Sequence, residues 1–143
     1  MRWDHESFWV CDDPALLDFA FIHAMLQTTY WAAGRSRADV ERSFANSLPF
    51  GLYDAGRGNA QIGFARAVTD RVTFSWLGDV FVHPDYRGRG LGQFLVRCVM
   101  EHPDVATTRI VLGTRDAHAF YERLGFTRKD YLRKYPTNDP TVV

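Results

Sequence analysis

An α/β fold of the α+β kind is what the sequence predicts: a mixed central sheet, antiparallel in its N-terminal strands and parallel in its last pair, flanked by helices. Three observations carry that expectation. Between Phe50 and Val82 strand-like runs alternate with turn chemistry. Leu91, Phe94, Leu95, Cys98 and Val99 then recur at i, i+3, i+4, i+7 and i+8, the spacing of one helix face. A β-branched run from Thr108 to Leu112 follows, so strand, helix and strand succeed one another, and such a unit makes a parallel pair.

Each element has a local cause. Asp13-Pro14 places an N-cap before a proline at the first helical position, and Leu17, Phe21 and Ala24 predict a first helix reaching about Leu26. Ser36 with Asp39 three residues on resembles a capping box, and Val40, Phe44 and Leu48 continue a second helix that ends before Pro49. Phe50 to Tyr53 and Ile62 to Val68 flank the turn residues Ala55 to Asn59 and predict a hairpin; Val72 to Val82 adds a central strand, making three consecutive antiparallel strands. The helix begun at Leu91 stops at His102-Pro103, because the residue before proline is pushed out of helical geometry. Asp116 is a cap candidate for a short helix with Ala117, Phe120, Tyr121 and Leu124 on one face, closed by Gly125. Phe126 begins another extended segment, and Tyr131 to Pro136 predicts a short final strand.

With 143 residues and no linker or repeat, residues 1–143 are expected to form a single domain around one core. Seventeen basic and seventeen acidic side chains cancel, so no summed field draws in nucleic acid or an anionic membrane surface. Cys11 and Cys98 lack partners at zinc-site spacings and are expected to be reduced and buried; the five histidines do not cluster, so no metal is expected. The charged N-terminus and the absence of an 18-residue apolar run predict a cytoplasmic, unanchored protein.

The chemistry is expected between Val80 and Gly92. There a strand passes through a turn carrying Arg87, Gly88, Arg89 and Gly90 into the helix start at Leu91 and Gly92. Glycines let the backbone approach a ligand closely, and free N–H groups at a helix N-terminus attract anions. A phosphate or pyrophosphate is the natural occupant. A Walker loop would end in Gly-Lys-Ser/Thr, and the dinucleotide fingerprint has two residues between its second and third glycines where this turn has one. A merely connecting turn and an Arg-Gly-rich nucleic-acid element are the other readings.

Arg87-Gly88-Arg89-Gly90-Leu91-Gly92 resembles the Gln/Arg-x-x-Gly-x-Gly/Ala signature of the GNAT superfamily of acetyl-CoA-dependent N-acyltransferases. Val82 to Tyr86 looks like that family's strand-to-loop passage, and Ala119 to Phe126 looks like its late helix-to-strand element. The resemblance covers roughly residues 77–126. It implies that the backbone from Arg87 to Gly92 holds the pyrophosphate of acetyl-CoA. It also implies that main-chain groups of Phe81 and Val82 pair with the pantetheine arm, in a V-shaped gap between the strand ending at Val82 and the strand from Thr108 to Leu112. The implied fold is GNAT-like and the implied reaction is acetyl transfer to a primary amine of a small molecule, amino acid or peptide.

Such a transfer needs a proton donor for the leaving thiolate and an acceptor for the amine's proton. By the resemblance Tyr121 is the donor, with a core aromatic as the competing reading. Asp79, a lone carboxylate in an apolar strand, must face a polar cavity or a partner. It is the expected base or ammonium site, against a structural role; ordered water is the other acceptor. Tyr30 and Trp31 lie where the family's acceptor loop sits and are expected to wall that pocket. The run Thr114-Arg115-Asp116 departs from the family's usual asparagine there. A homodimer could complete the acceptor walls. A catalytically silent acyl-CoA sensor remains the alternative, against which the presence of Tyr121 and Asp79 speaks.

Overall fold

The computed structural model describes residues 1–137. Six strands form one sheet in the order β1-β2-β3-β4-β5-β6, each antiparallel to the next except the last pair, which is parallel. The mixed sheet is therefore as expected, with five antiparallel strands in chain order instead of three. The two additional strands are β1 (Arg2–His5) and β2 (Phe8–Cys11), a hairpin ahead of the expected first helix. All four residues of β2 are buried, so the strand shows no alternation of apolar and polar positions, and four apolar residues alone do not announce a strand.

The expected helix from Asp13 to Leu26 is two pieces. Asp13 caps a 3₁₀ turn, Pro14–Leu16; the chain extends at Leu17, and Asp18 then caps α1 (Phe19–Leu26) by accepting from Phe21 N–H. A second N-cap so soon, with the Asp18 N–H donating to Gln61, breaks the helix in two. α2 (Arg37–Ala45) starts as expected, with Ser36 accepting from Asp39 N–H. β3 (Leu48–Asp54), β4 (Ala60–Thr69) and β5 (Phe74–Val82) are joined by a 3₁₀ turn (Ala55–Arg57) and a short bend. Pro49 is tolerated in β3 because β2 pairs only as far as Gly51, so the missing N–H breaks no bond on that side.

After a further 3₁₀ turn (Pro84–Tyr86) come α3 (Leu91–Glu101) and the single-turn α4 (Pro103–Ala106). β6 (Arg109–Val111) and α5 (His118–Glu122) follow. Asp116 does not cap α5: Ala117 occupies that position and donates its N–H to the Thr114 hydroxyl. Nor do residues 126–137 form a strand. The segment runs to Thr137 without regular structure, because β6 is three residues long and offers it no ladder.

The sheet has a core on each face. On one, Leu91, Leu95, Val96, Cys98 and Val99 of α3 pack with Phe50, Leu52, Ala65, Ala67 and Leu77. On the other, Ile22, Leu26, Val40 and Phe44 of α1 and α2 pack with Phe64 and Phe81. Each large side chain so enclosed contributes about 1.5–3 kcal/mol. Both cysteines are free and buried. Among the described residues no helix is long and apolar enough to cross a membrane, and no cluster of three metal-ligating side chains occurs.

Candidate active site

β5 is nine residues long and β6 is three, and they pair only from Phe74↔Arg109 to Trp76↔Val111. Beyond Trp76 the two part, giving the V-shaped gap, and β5 presents an unpaired edge to a groove. That edge is where an extended ligand can add to the sheet. His83 N–H donates to Ile62 C=O at 2.7 Å, and Phe81 stands opposite Phe64 with its carbonyl oxygen directed at β4. Peptide groups of successive residues turn to opposite sides in an antiparallel ladder, so the groups of Val82 face the gap. The expectation that Phe81 joins Val82 there is corrected: its peptide groups serve β4, and its side chain lies in the α1/α2 core.

The turn after β5 is held before it reaches α3. Tyr86 is buried, donates its hydroxyl to Asp54 at 2.8 Å and accepts from Arg57 at 3.3 Å. The Arg87 Nε donates to the Val82 carbonyl at 3.3 Å. Gly88 and Gly90 adopt φ of 80° and 73°, in open space that a Cβ would not crowd, which is backbone that other residues resist. Gly90 caps α3 with no side-chain hydrogen bond, and the first intrahelical bond runs from Phe94 N–H to Gly90 C=O. The N–H groups of Leu91, Gly92 and Gln93 therefore have no helical partner and stand at the positive end of the helix dipole. Gly92 backs onto Phe120, 3.4 Å from where its Cβ would lie, which ties this cradle to α5. Together these features fit an anionic ligand with an extended arm.

Asp79 owes its position to a bulge. Phe64 pairs with Phe81 and Arg66 with Gly78, so Asp79 and Val80 together oppose Ala65. The inserted residue, Asp79, has φ of 53°, a left-handed conformation that is strained for a residue other than glycine. The extra residue reverses the alternation of side chains and turns Asp79 to the face of the sheet that α1 and α2 cover. There its carboxylate, 3% exposed, meets Arg66 Nε at 2.6 Å and Arg35 Nη1 at 2.7 Å, and accepts from the Trp31 indole at 3.0 Å. Burial pushes this carboxyl's pKa upward, but the guanidinium groups of Arg66 and Arg35 outweigh it and hold the pKa below its ordinary value. A carboxylate so engaged is a poor proton acceptor. The geometry ties Asp79 to β4 and the α1–α2 loop, which fits the structural role set against its expected role as base or ammonium site.

The groove has a narrow and a wide part. The narrow part, about 340 Å³, is lined by Val80 to Val82, Arg87, Gly92 and Phe120. The wide part, about 1000 Å³, runs past Trp76 to Asp79 toward Leu112, Thr114 and the segment from Tyr131 to Tyr135. Tyr30, Trp31, Val80, Asp116 and Tyr121 line both, so Tyr121 stands where the two meet. Burial, reinforced by Tyr30, pushes its phenol up to about 12. It stays protonated at neutral pH and has a proton to give. Tyr30 and Trp31 are half exposed across the groove from α5; the Tyr30 hydroxyl accepts from Arg115 N–H at 2.9 Å.

Several residues of this site carry little signal in the sequence. Arg35 and Arg66 could have been sought, since a lone carboxylate in an apolar strand demands a cation, and Arg66 interrupts the apolar run of β4. Asp54 and Tyr86 have no comparable mark.

Residues 50–128 match the model of the acetyltransferase (GNAT) domain. A protein of Gibberella zeae assigned to the acetyltransferases is 33% identical over 91% of this chain and 84% of its own length. The uncharacterised N-acetyltransferase ycf52 of Gracilaria tenuistipitata var. liui is 31% identical over 61% of this chain, which spans 48% of that protein. A crystal structure from Xanthomonas campestris pv. campestris, assigned to the same family, superposes with a TM-score of 0.84 at 41% identity, covering 90% of this chain and 93% of that one.

Proposed function

We propose, for a chain that belongs to the GNAT acetyltransferase family and is therefore an acyltransferase, that it moves the acetyl group of acetyl-CoA to a primary amine by direct attack. The observation that carries this reading is the parting of β5 from β6 beside a glycine cradle, with a protonated tyrosine at the junction of the two parts of the groove.

Acetyl-CoA supplies a thioester whose carbonyl carbon bonds the amine nitrogen while the C–S bond breaks. The residues of the chain bind, orient and move protons. The Arg87 N–H, expected in the cradle, donates to Pro84 C=O, so backbone N–H groups from Gly88 to Gly92 hold the pyrophosphate, with Arg87 and Arg89 adding charge, and the Val82 peptide pairs with the pantetheine arm. Tyr121 gives its hydroxyl proton to the departing thiolate and regains one from the nitrogen through water. The amine sheds its first proton to water, because Asp79 is engaged by two arginines. Tyr30 and Trp31 wall the acceptor side. These steps call on one domain and need no metal.

Calorimetric titration with acetyl-CoA, ATP and NAD tests the donor assignment. Micromolar binding of acetyl-CoA, with the other two at least tenfold weaker, is expected. Equal or tighter binding of ATP or NAD would turn the cradle into a general phosphate site and end the acyltransferase mechanism.

A further inference from the structure

The wide part of the groove is lined by four arginines, Arg35, Arg66, Arg115 and Arg133, against two aspartates, Asp79 and Asp116. The whole chain is neutral, so this excess is local. Asp79 is one carboxylate shared by two guanidinium groups, which leaves that wall positive. Arg115 and Arg133 meet no carboxylate among the described residues. Each instead lies over a tyrosine ring, Arg115 on Tyr30 at 3.8 Å and Arg133 on Tyr135 at 4.9 Å. Stacking uses the face of a guanidinium and leaves its edge N–H donors directed outward, in the fork that matches a carboxylate or phosphate. Asp116 is the one acidic side chain that lines both parts, beside Tyr121, where an ammonium group would arrive. The ring of Trp76, with Tyr131 packed edge-on at 6.4 Å, gives the same space an apolar wall.

We infer that the acceptor is an amine that also carries an anionic group, a carboxylate or phosphate, which the guanidinium edges of Arg115 and Arg133 hold while Asp116 receives the ammonium end. A polyamine or a basic peptide would meet this charge pattern the wrong way round. The inference rests on the wide part being the acceptor side of the acyltransferase reading.

The test separates the two. Benzoate, phenyl phosphate and benzyl alcohol are titrated against the full chain by tryptophan fluorescence, with no acetyl-CoA present. The anions should bind at least tenfold more tightly than the alcohol, and whichever anion binds more tightly identifies the group. In Arg115→Gln/Arg133→Gln the preference should shrink to about twofold, and Arg115→Lys should retain part of it. Both arginines are exposed, and circular dichroism checks that the variants fold. Equal binding of alcohol and anions, or a preference that survives the double variant, overturns the inference. So does a tenfold weakening of acetyl-CoA binding in the double variant, which would assign these arginines to the donor. A wild type that binds the anions but not acetyl-CoA would sink the acyltransferase mechanism and leave the anion site standing.

Discussion

The two parts of the groove are built from different materials. The narrow part is made largely of main chain: an unpaired strand edge at Val82, a turn whose glycines take φ of 80° and 73°, and the free N–H groups of a helix start. The wide part is made of side chains that converge from β4, β5, the α1–α2 loop, the approach to α5 and the tail. Main chain recognises what is common to every cycle of a reaction, and side chains can change without disturbing it. A fold can thus hold one donor constant while its acceptor varies.

Substitutions can break this division, and the largest effect is expected at Asp79. Asp79→Asn leaves two guanidinium groups without their counter-charge, and loss of such a partner costs about 3–5 kcal/mol. Urea denaturation should show the loss, while acetyl-CoA affinity should stay within about twofold at temperatures where the variant is folded; a joint collapse of both would mean the parts are not separable. Because the folded pKa of Asp79 is lowered, its stabilising contribution is present above the unfolded carboxyl value and is lost as pH falls through the folded one. The stability gap between wild type and variant should therefore narrow in acid.

Tyr121→Phe should lower kcat by about 10²–10⁴-fold, the usual worth of a positioned acid, with acetyl-CoA binding unchanged. An unchanged kcat would make Tyr121 a wall residue. Since its phenol ionises at about 12, the pH profile of kcat should show no limb near 10 that the variant removes. Gly90→Val places a β-branched residue at φ of 73° and should weaken acetyl-CoA about 10–100-fold, leaving the anion preference of the wide part intact. The mildest effect belongs to Gly92→Ala, whose methyl would touch Phe120 at 3.4 Å. About a twofold change in acetyl-CoA affinity is expected, and a loss above tenfold would show that α5 and the cradle move as a unit.

What can be read from the sequence follows the same division. The amphipathic face of α3, the Ser36 cap and the glycine turn are local patterns, and each stands where its residues placed it. The β1–β2 hairpin is hidden because Phe8–Cys11 is buried on both faces, which erases period-two alternation. The helix break at Leu17 depends on Asp18 competing with Asp13 as a cap. Asp79 can be singled out as anomalous, yet its partners Arg66 and Arg35 lie 13 and 44 positions away, so only the folded chain shows which cations engage it. The composition of residues 126–137 suits a strand, but a three-residue β6 leaves them nothing to pair with.

The bulge at Asp79 makes β5 a strand with two reading frames. Upstream of it, Leu77 belongs to the α3 core; downstream, Phe81, four residues on, belongs to the opposite core, although an unbroken strand would put both on one face. A point substitution anywhere in β5 alters one side chain and keeps both frames. Removing the inserted residue leaves Leu77 and Phe81 three positions apart, which a regular strand already puts on opposite faces, so Phe81 can keep Phe64 and Val82 can keep Gly63 as partners while the carboxylate between Arg66 and Arg35 is lost. The extra residue is there for its carboxylate and not for the pairing downstream, so deletion of Asp79 should keep the sheet and the Val82 edge and cost stability much as Asp79→Asn does.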